Sequence, residues 1–149
     1  MHVTKKLLRN LLALIIAAIT TYIIGAVISS IFVLKALPAK IPFGTYVSTA
    51  LSDITNLKLY LVIILIGFLI AFPIAAALRK ALRKTLPKLA KIGYPLAGAA
   101  AIGAALGLMY LQFETVPISG ANNAFGFIMQ LVTGALGGAI FAKLQTPIN

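Results

Sequence analysis

The chain has 149 residues, of which 61% are hydrophobic and only 10% charged, and its mean hydropathy is +1.06. A water-soluble domain carries about 25% charged residues, so this composition indicates an integral membrane protein. Lys and Arg number 13 against two acids, giving a net charge of +11. In so apolar a chain, basic residues set topology and meet anionic lipid headgroups, and we do not expect nucleic-acid binding.

Four long uncharged runs predict four transmembrane helices, over about residues 10–34, 59–78, 92–113 and 121–142. A helix needs about 20 residues to cross the hydrocarbon core, and each run meets that length. Pro73 lies inside the second run and is expected to kink that helix. The predicted fold is therefore an all-α bundle of four transmembrane helices, forming a single membrane domain over residues 1–149.

The connection between the first two spans has the pattern of a short amphipathic helix over about residues 43–57. Its polar residues fall mostly on one face, and Thr45 is the predicted N-cap. We expect this helix to lie on the membrane surface outside the cytoplasm. The apolar stripe consists of Phe43, Val47, Ala50, Ile54 and Leu57.

Basic residues are concentrated in three segments that should share one side of the membrane. These are the N-terminal segment, the loop at 79–91 and the tail, which carries Lys143. By the positive-inside rule both termini and the loop are cytoplasmic, and a bacterial inner membrane fits this bias best. The loop either anchors the topology or binds anionic lipid headgroups, and its cations are Arg79, Lys80, Arg83, Lys84, Lys88 and Lys91.

Small residues recur at intervals of four in the last two spans. Such spacing lets two helix backbones approach closely, either within this chain or between it and another membrane protein. The residues are Ala99, Gly103 and Gly107 in the third span, with Gly134 and Gly138 in the fourth.

A set of polar residues is predicted near the outer ends of the helices, together with Gln130 inside the fourth span. These residues either form a small site for a cation or polar solute, or have separate structural roles. As structural residues, Asn122 or Asn123 caps the fourth span and Gln130 joins two helices. The full set is Asp53, Gln112, Glu114, Asn122, Asn123 and Gln130.

No cofactor or metal site is expected, because the chain has no Cys and its one His, His2, lies at the N-terminus. Residues that carry catalysis are absent from the apolar runs. The predicted function is a non-enzymatic accessory or assembly subunit that packs against another membrane protein, or against itself as a homo-oligomer, through the glycine-rich faces. The alternative is a small homo-oligomeric transporter or channel, with Gln130, Thr133 and the outer polar residues along its path. A lipid-modifying membrane enzyme is a minor possibility based on the outer carboxylates and the basic loop.

Overall fold

The computed structural model of the chain consists of six helices. It describes residues 2–38, 40–56, 58–113, 121 and 123–145, and of residues 2, 3, 112 and 113 it describes the backbone alone. No strand occurs within these ranges. The helices are α1 His2–Lys35, α2 Phe43–Asn56, α3 Lys58–Leu82, α4 Pro87–Lys91, α5 Gly93–Phe113 and α6 Ala124–Leu144.

Four of these helices, α1, α3, α5 and α6, are long and apolar enough to cross a membrane. The predicted all-α fold with four spans is therefore confirmed. The four helices pack in a ring, in which α6 lies against α5 and α1 while α3 lies against α5 and α1.

Two spanning helices extend beyond their apolar runs into the basic segments. Helix α1 begins at His2, and α3 continues through Arg79 and Lys80 to Leu82. Ala, Leu, Lys and Arg all favour helix, so a charge ends an apolar run without ending the helix. The residues that follow form a turn and lead into α4, which starts with Pro87 at its first position. The predicted loop is thus largely helical.

Glycines bring α5 and α6 into backbone contact. A Cβ on Gly98 would overlap the carbonyl of Gly134, and one on Gly138 would overlap the carbonyl of Tyr94. A Cβ on Gly137 would overlap the hydroxyl of Thr21 on α1. Helix α6 therefore packs through glycines on both of its inner sides.

Four aromatic rings fill the core next to this contact. Phe72 stacks on Phe68 and Phe141, with ring centroids 4.5 and 4.3 Å apart. Tyr94 meets the rings of Phe72 and Phe141 edge-on, at 5.9 and 5.1 Å. These offset and edge-on arrangements are the favourable ones for aromatic pairs, and the cluster joins α3, α5 and α6.

Helix α2 packs against α1 instead of standing apart from the bundle. The Ser30 hydroxyl donates to a carboxylate oxygen of Asp53 at 2.6 Å, and the Tyr22 hydroxyl donates to the carbonyl of Ile54 at 2.5 Å. Thr45 is not the N-cap, because the helix already begins at Phe43.

The predicted apolar stripe of α2 is divided between two environments. Ala50 and Ile54 are half-buried, whereas Phe43 is 82% exposed and Val47 is exposed. Leu57 lies outside the described residues.

Candidate functional site

Cationic side chains from several helices converge at one end of the bundle, which we call the basic end. They line a cleft of about 800 Å³, here named the basic cleft. Its walls come from α1, α3, α4, the turn before α4, and the C-terminal end of α6. Seven of its lining residues are cationic: Arg9, Arg79, Lys80, Arg83, Lys84, Lys91 and Lys143.

Arg79 is fixed in place by groups of α4 and α5. Its Nε–H donates to the carbonyl of Ala90 at 2.8 Å, and its guanidinium carbon lies 4.6 Å from the centre of the Tyr94 ring. The stem packs closely as well, since a Cβ on Gly93 would lie 2.8 Å from Cγ of Arg79. Stacking on an aromatic face and a bond to a carbonyl together orient this guanidinium.

Arg9 is held in a similar way at the opposite wall. Its Nε–H donates to the carbonyl of Leu144 at 2.9 Å. The last carbonyls of a helix have no partner within the helix, so this bond both caps α6 and positions α1. In both arginines the bond uses Nε–H, which leaves the two Nη amino groups to a ligand as far as the described residues go.

Tyr94 and Gln145 connect the cleft to the aromatic core. The Tyr94 hydroxyl donates to the side-chain oxygen of Gln145 at 2.7 Å, and both residues are buried. The backbone N–H of Gln145 in turn donates to the carbonyl of Phe141 at 2.9 Å. The floor beneath the cations is therefore held by packing and hydrogen bonds from α5 and α6.

The charge of the basic cleft is not neutralised by any acid among its lining residues. Of the two acids in the chain, Asp53 bonds to Ser30 on the outer part of α1, and Glu114 lies outside the described residues. Clustered like charges repel one another and attract anions. Arginine also offers a planar pair of donors that matches the oxygens of a phosphate. Such an arrangement of donors matches the chemistry of an anion with several oxygens.

Five of the six cations that the sequence indicates for headgroup binding line this cleft, and Lys88 is exposed outside it. Sequence reasoning missed Arg9 and Lys143 as members of the cleft. The signal was present, because both residues end an apolar run on the side that the charge bias assigns to the loop.

The predicted glycine set is used unevenly. Gly134 and Gly138 contact α5, but there they meet Gly98 and the backbone of Tyr94, which the predicted set does not include. Within the described part of the chain, a Cβ on Gly103 would meet only the end of the Leu131 side chain, at 3.0 Å, and one on Gly107 would have nothing within 4 Å. Ala99, one position further along than Gly98, is half-buried.

The described members of the predicted outer polar set have separate partners. Asp53 accepts from Ser30, and Asn123 caps α6 by accepting from the backbone N–H of Gly126 at 2.7 Å. The cap at Asn123 is one of the two predicted. The side chain of Gln112, and Glu114 and Asn122 entirely, lie outside the described residues, so the site that would combine them stays a prediction.

Gln130, the last member of that set, is fully buried at 0% exposure. Its amide nitrogen donates to the carbonyl of Gly25 at 3.0 Å, and its amide oxygen accepts from Tyr60 at 3.3 Å. It therefore joins α6 to α1 and α3, as expected of a polar side chain between membrane helices. Gly25 makes room for it, because a Cβ there would lie 2.9 Å from the amide oxygen.

A second opening adjoins the basic cleft. It is a groove of about 300 Å³ between α1 and α3, here named the apolar groove, and it shares Ala76 and Gln145 with the cleft. Most of its lining is apolar. The lining residues are Leu7, Asn10, Leu11, Leu14, Leu69, Phe72, Pro73, Ala76, Tyr94, Phe141 and Gln145.

Four apolar spanning helices define the chain as a small integral membrane protein. Comparison with protein-family models, with curated protein sequences and with solved structures gives no significant match.

Proposed function

We propose that this membrane protein is non-enzymatic and binds a phosphate-bearing anion in the basic cleft, the anionic headgroup of a phospholipid being the source that a membrane supplies. The observation that carries the proposal is the convergence of seven cations on one cleft whose lining residues include no acid. A Lys or Arg near an anionic membrane surface contributes about 1 kcal/mol to attraction. Oriented arginines add directed hydrogen bonds to phosphate oxygens.

The proposed orientation places the basic end in the cytoplasm. Arg9, the turn before α4 and Lys143 lie together at one end of the bundle, and cytoplasmic ends of membrane helices carry an excess of Lys and Arg. We assign the protein to a bacterial inner membrane on the same charge bias.

The proposal is tested by removing Arg83 and Lys84, two exposed cations that line the cleft from the turn before α4. Arg83→Gln with Lys84→Gln is expected to weaken retention of phosphatidylglycerol by up to about thirtyfold, the effect of about 2 kcal/mol. Native mass spectrometry of the purified protein, after addition of phosphatidylglycerol or phosphatidylcholine in detergent, counts the bound lipid.

The matched control is Lys35→Gln with Lys40→Gln, which removes the same charge from two exposed lysines outside the cleft. This control should retain phosphatidylglycerol like the original protein. Equal loss in both double variants would mean that the chain attracts anions by its overall charge and would overturn the proposed site. Inorganic phosphate, added as a competitor, distinguishes a soluble anion from a lipid headgroup.

An accessory or assembly role is compatible with this binding and is supported by one observation. Among the described residues, Gly107 has no atom within 4 Å of the position of a Cβ, which supports a face of α5 open to a helix of another chain. Gly107→Leu should then abolish association with the partner without altering insertion, as judged by co-purification and protease protection. A Gly107→Leu variant that keeps its partner would refute association through this face.

The alternative role in transport has less support. Its predicted path residue, Gln130, is fully buried and bonded to Gly25 and Tyr60. Such an amide contributes to helix packing, and water or solute would have to displace both bonds to pass it.

A further inference from the structure

We infer that the basic cleft and the apolar groove form one site, which holds a single anionic phospholipid with its phosphate in the cleft and one acyl chain in the groove between α1 and α3. This inference rests on the proposed function, because it takes the binding of a phosphate in the basic cleft as its starting point. It adds that the ligand is an individual lipid bound between two helices.

The basic cleft and the apolar groove are continuous. The cleft and the groove share Ala76 of α3 and Gln145 at the end of α6. An anionic phospholipid carries its charge next to the ester ends of its chains. A molecule whose phosphate contacts the cations therefore has its chains directed along the shared wall into the groove.

The lining changes from cationic to apolar along this path. The cleft offers cations from α1, α3, α4 and α6. The groove offers leucines from α1 and α3 and the aromatic rings of the core, with Asn10 and Gln145 as its amide side chains. Its volume of about 300 Å³ lies at the small end of ligand pockets, which favours one chain in the groove. A soluble phosphate would leave the groove without an occupant of matching chemistry.

The wall that α3 contributes to the groove contains a proline. Pro73 lies inside α3 and lines the groove. A proline has no backbone N–H and its ring displaces the preceding turn of the helix. Helix α3 therefore lacks one helical hydrogen bond at the wall of the groove, where Leu69 and Pro73 offer an apolar surface to an acyl chain.

The test uses the absence of Trp from the chain, which makes one introduced Trp an unambiguous fluorescent reporter. Leu11→Trp places the reporter in the lining of the groove, and Leu12→Trp places it at nearly the same depth outside that lining. The two positions are matched in exposure, at 48% and 51%. The protein is reconstituted in phosphatidylcholine vesicles that contain a minor fraction of phosphatidylglycerol.

In one series the phosphatidylglycerol carries dibrominated chains, and in a parallel series an equal fraction of the phosphatidylcholine carries them. Bromine quenches Trp only at short range. At position 11 we expect a relative affinity for phosphatidylglycerol over phosphatidylcholine of about fivefold or more, the effect of one converging cation. At position 12 the ratio should be clearly lower, because that reporter contacts the surrounding bilayer. Equal ratios at the two positions would overturn the inference.

Two further arms separate the inference from the proposed function. In the Leu11→Trp protein, Ala76→Phe should obstruct the shared wall and lower the ratio to that of position 12, whereas Ala77→Phe on the exposed side of α3 should not. An excess of glycerol 3-phosphate should leave the affinity ratio at position 11 unchanged. A fall of this ratio to that of position 12 would identify a soluble phosphate as the ligand. If position 11 shows no excess while lipid retention still depends on Arg83 and Lys84, the acyl-chain assignment alone is wrong. If retention is also independent of them, both proposals fail.

Discussion

Substituting single glycines of α5 by alanine should separate the position that packs against α6 from those that do not. At Gly98 a Cβ would overlap the carbonyl oxygen of Gly134 and lie 2.9 Å from its carbon and 3.1 Å from the nitrogen of Gly138. All three are backbone atoms, which cannot rotate away. A Cβ on Gly103 would meet the flexible end of Leu131, and one on Gly107 would have no atom of a described residue within 4 Å.

The size of the effect follows from these distances. Ordinary contact begins at 3.4 Å, so α6 must move by about 1 Å to accommodate a methyl group at Gly98. A gap of that size forfeits a quarter to a half of each neighbouring dispersion contact, and overpacked cores lose about 1–3 kcal/mol. We expect Gly98→Ala to cost about 3 kcal/mol, because the contact joins two backbones. Gly103→Ala should cost well under 1 kcal/mol, and Gly107→Ala should be neutral or slightly stabilising because Ala favours helix over Gly.

The assay is reversible unfolding in mixed micelles of increasing SDS content, followed by far-ultraviolet circular dichroism. A loss of about 3 kcal/mol lowers the ratio of folded to unfolded protein more than a hundredfold at a fixed composition. Equal effects of the Gly98 and Gly107 variants would refute the packing register described above. An undiminished stability of Gly98→Ala would refute the backbone contact itself.

Variants at three further positions test polar contacts of the bundle. Gln130→Leu should cost about 0.6 to 1.7 kcal/mol of unfolding free energy while leaving phosphatidylglycerol retention unchanged; a loss of retention without a loss of stability would contradict its packing role. Asn123→Ala should cost about 1 kcal/mol and increase amide hydrogen exchange in the first turn of α6, whereas Asn123→Asp keeps the cap. Ser30→Ala should increase amide exchange throughout α2, and unchanged protection there would show that the bond to Asp53 does not hold α2 on α1.

The four spans were predictable because each is a long uncharged run, and the bilayer imposes its length on a helix. The glycine register was not. In α5, the row through Ala99 carries small residues every four positions, whereas the row through Gly98 continues with the large residues Ile102 and Leu106. Adjacent rows differ by about 100° around the helix axis, so only the partner helix decides which one is inside. The structure places Gly98 against Gly134, where any Cβ would overlap the carbonyl.

The basic site was predictable in part: its side of the bundle was, but the residues that line the cleft were not. Counting charges assigns Arg9, the loop and Lys143 to one side, but it treats every cation in the loop alike. Helical geometry then separates them, because α3 continues past Arg79 while Lys88 lies in α4 and outside the lining of the cleft. A pattern of single charges has no means to specify such convergence between segments that lie far apart in the sequence.

The location of the groove follows from where the glycines are used. Helix α6 packs its glycines against α5 and α1. In α3, a Cβ on Gly67 would lie 3.5 Å from the Cβ of Ala101 on α5. No glycine lines the groove between α1 and α3, where leucines and Phe72 separate the two backbones. Between membrane helices close approach depends on small residues, since lipid chains are as apolar as leucine. The lining of this interface includes one small residue, Ala76, so the interface competes poorly with lipid. We therefore expect an acyl chain to complete the packing between α1 and α3, next to the cations proposed to bind its phosphate.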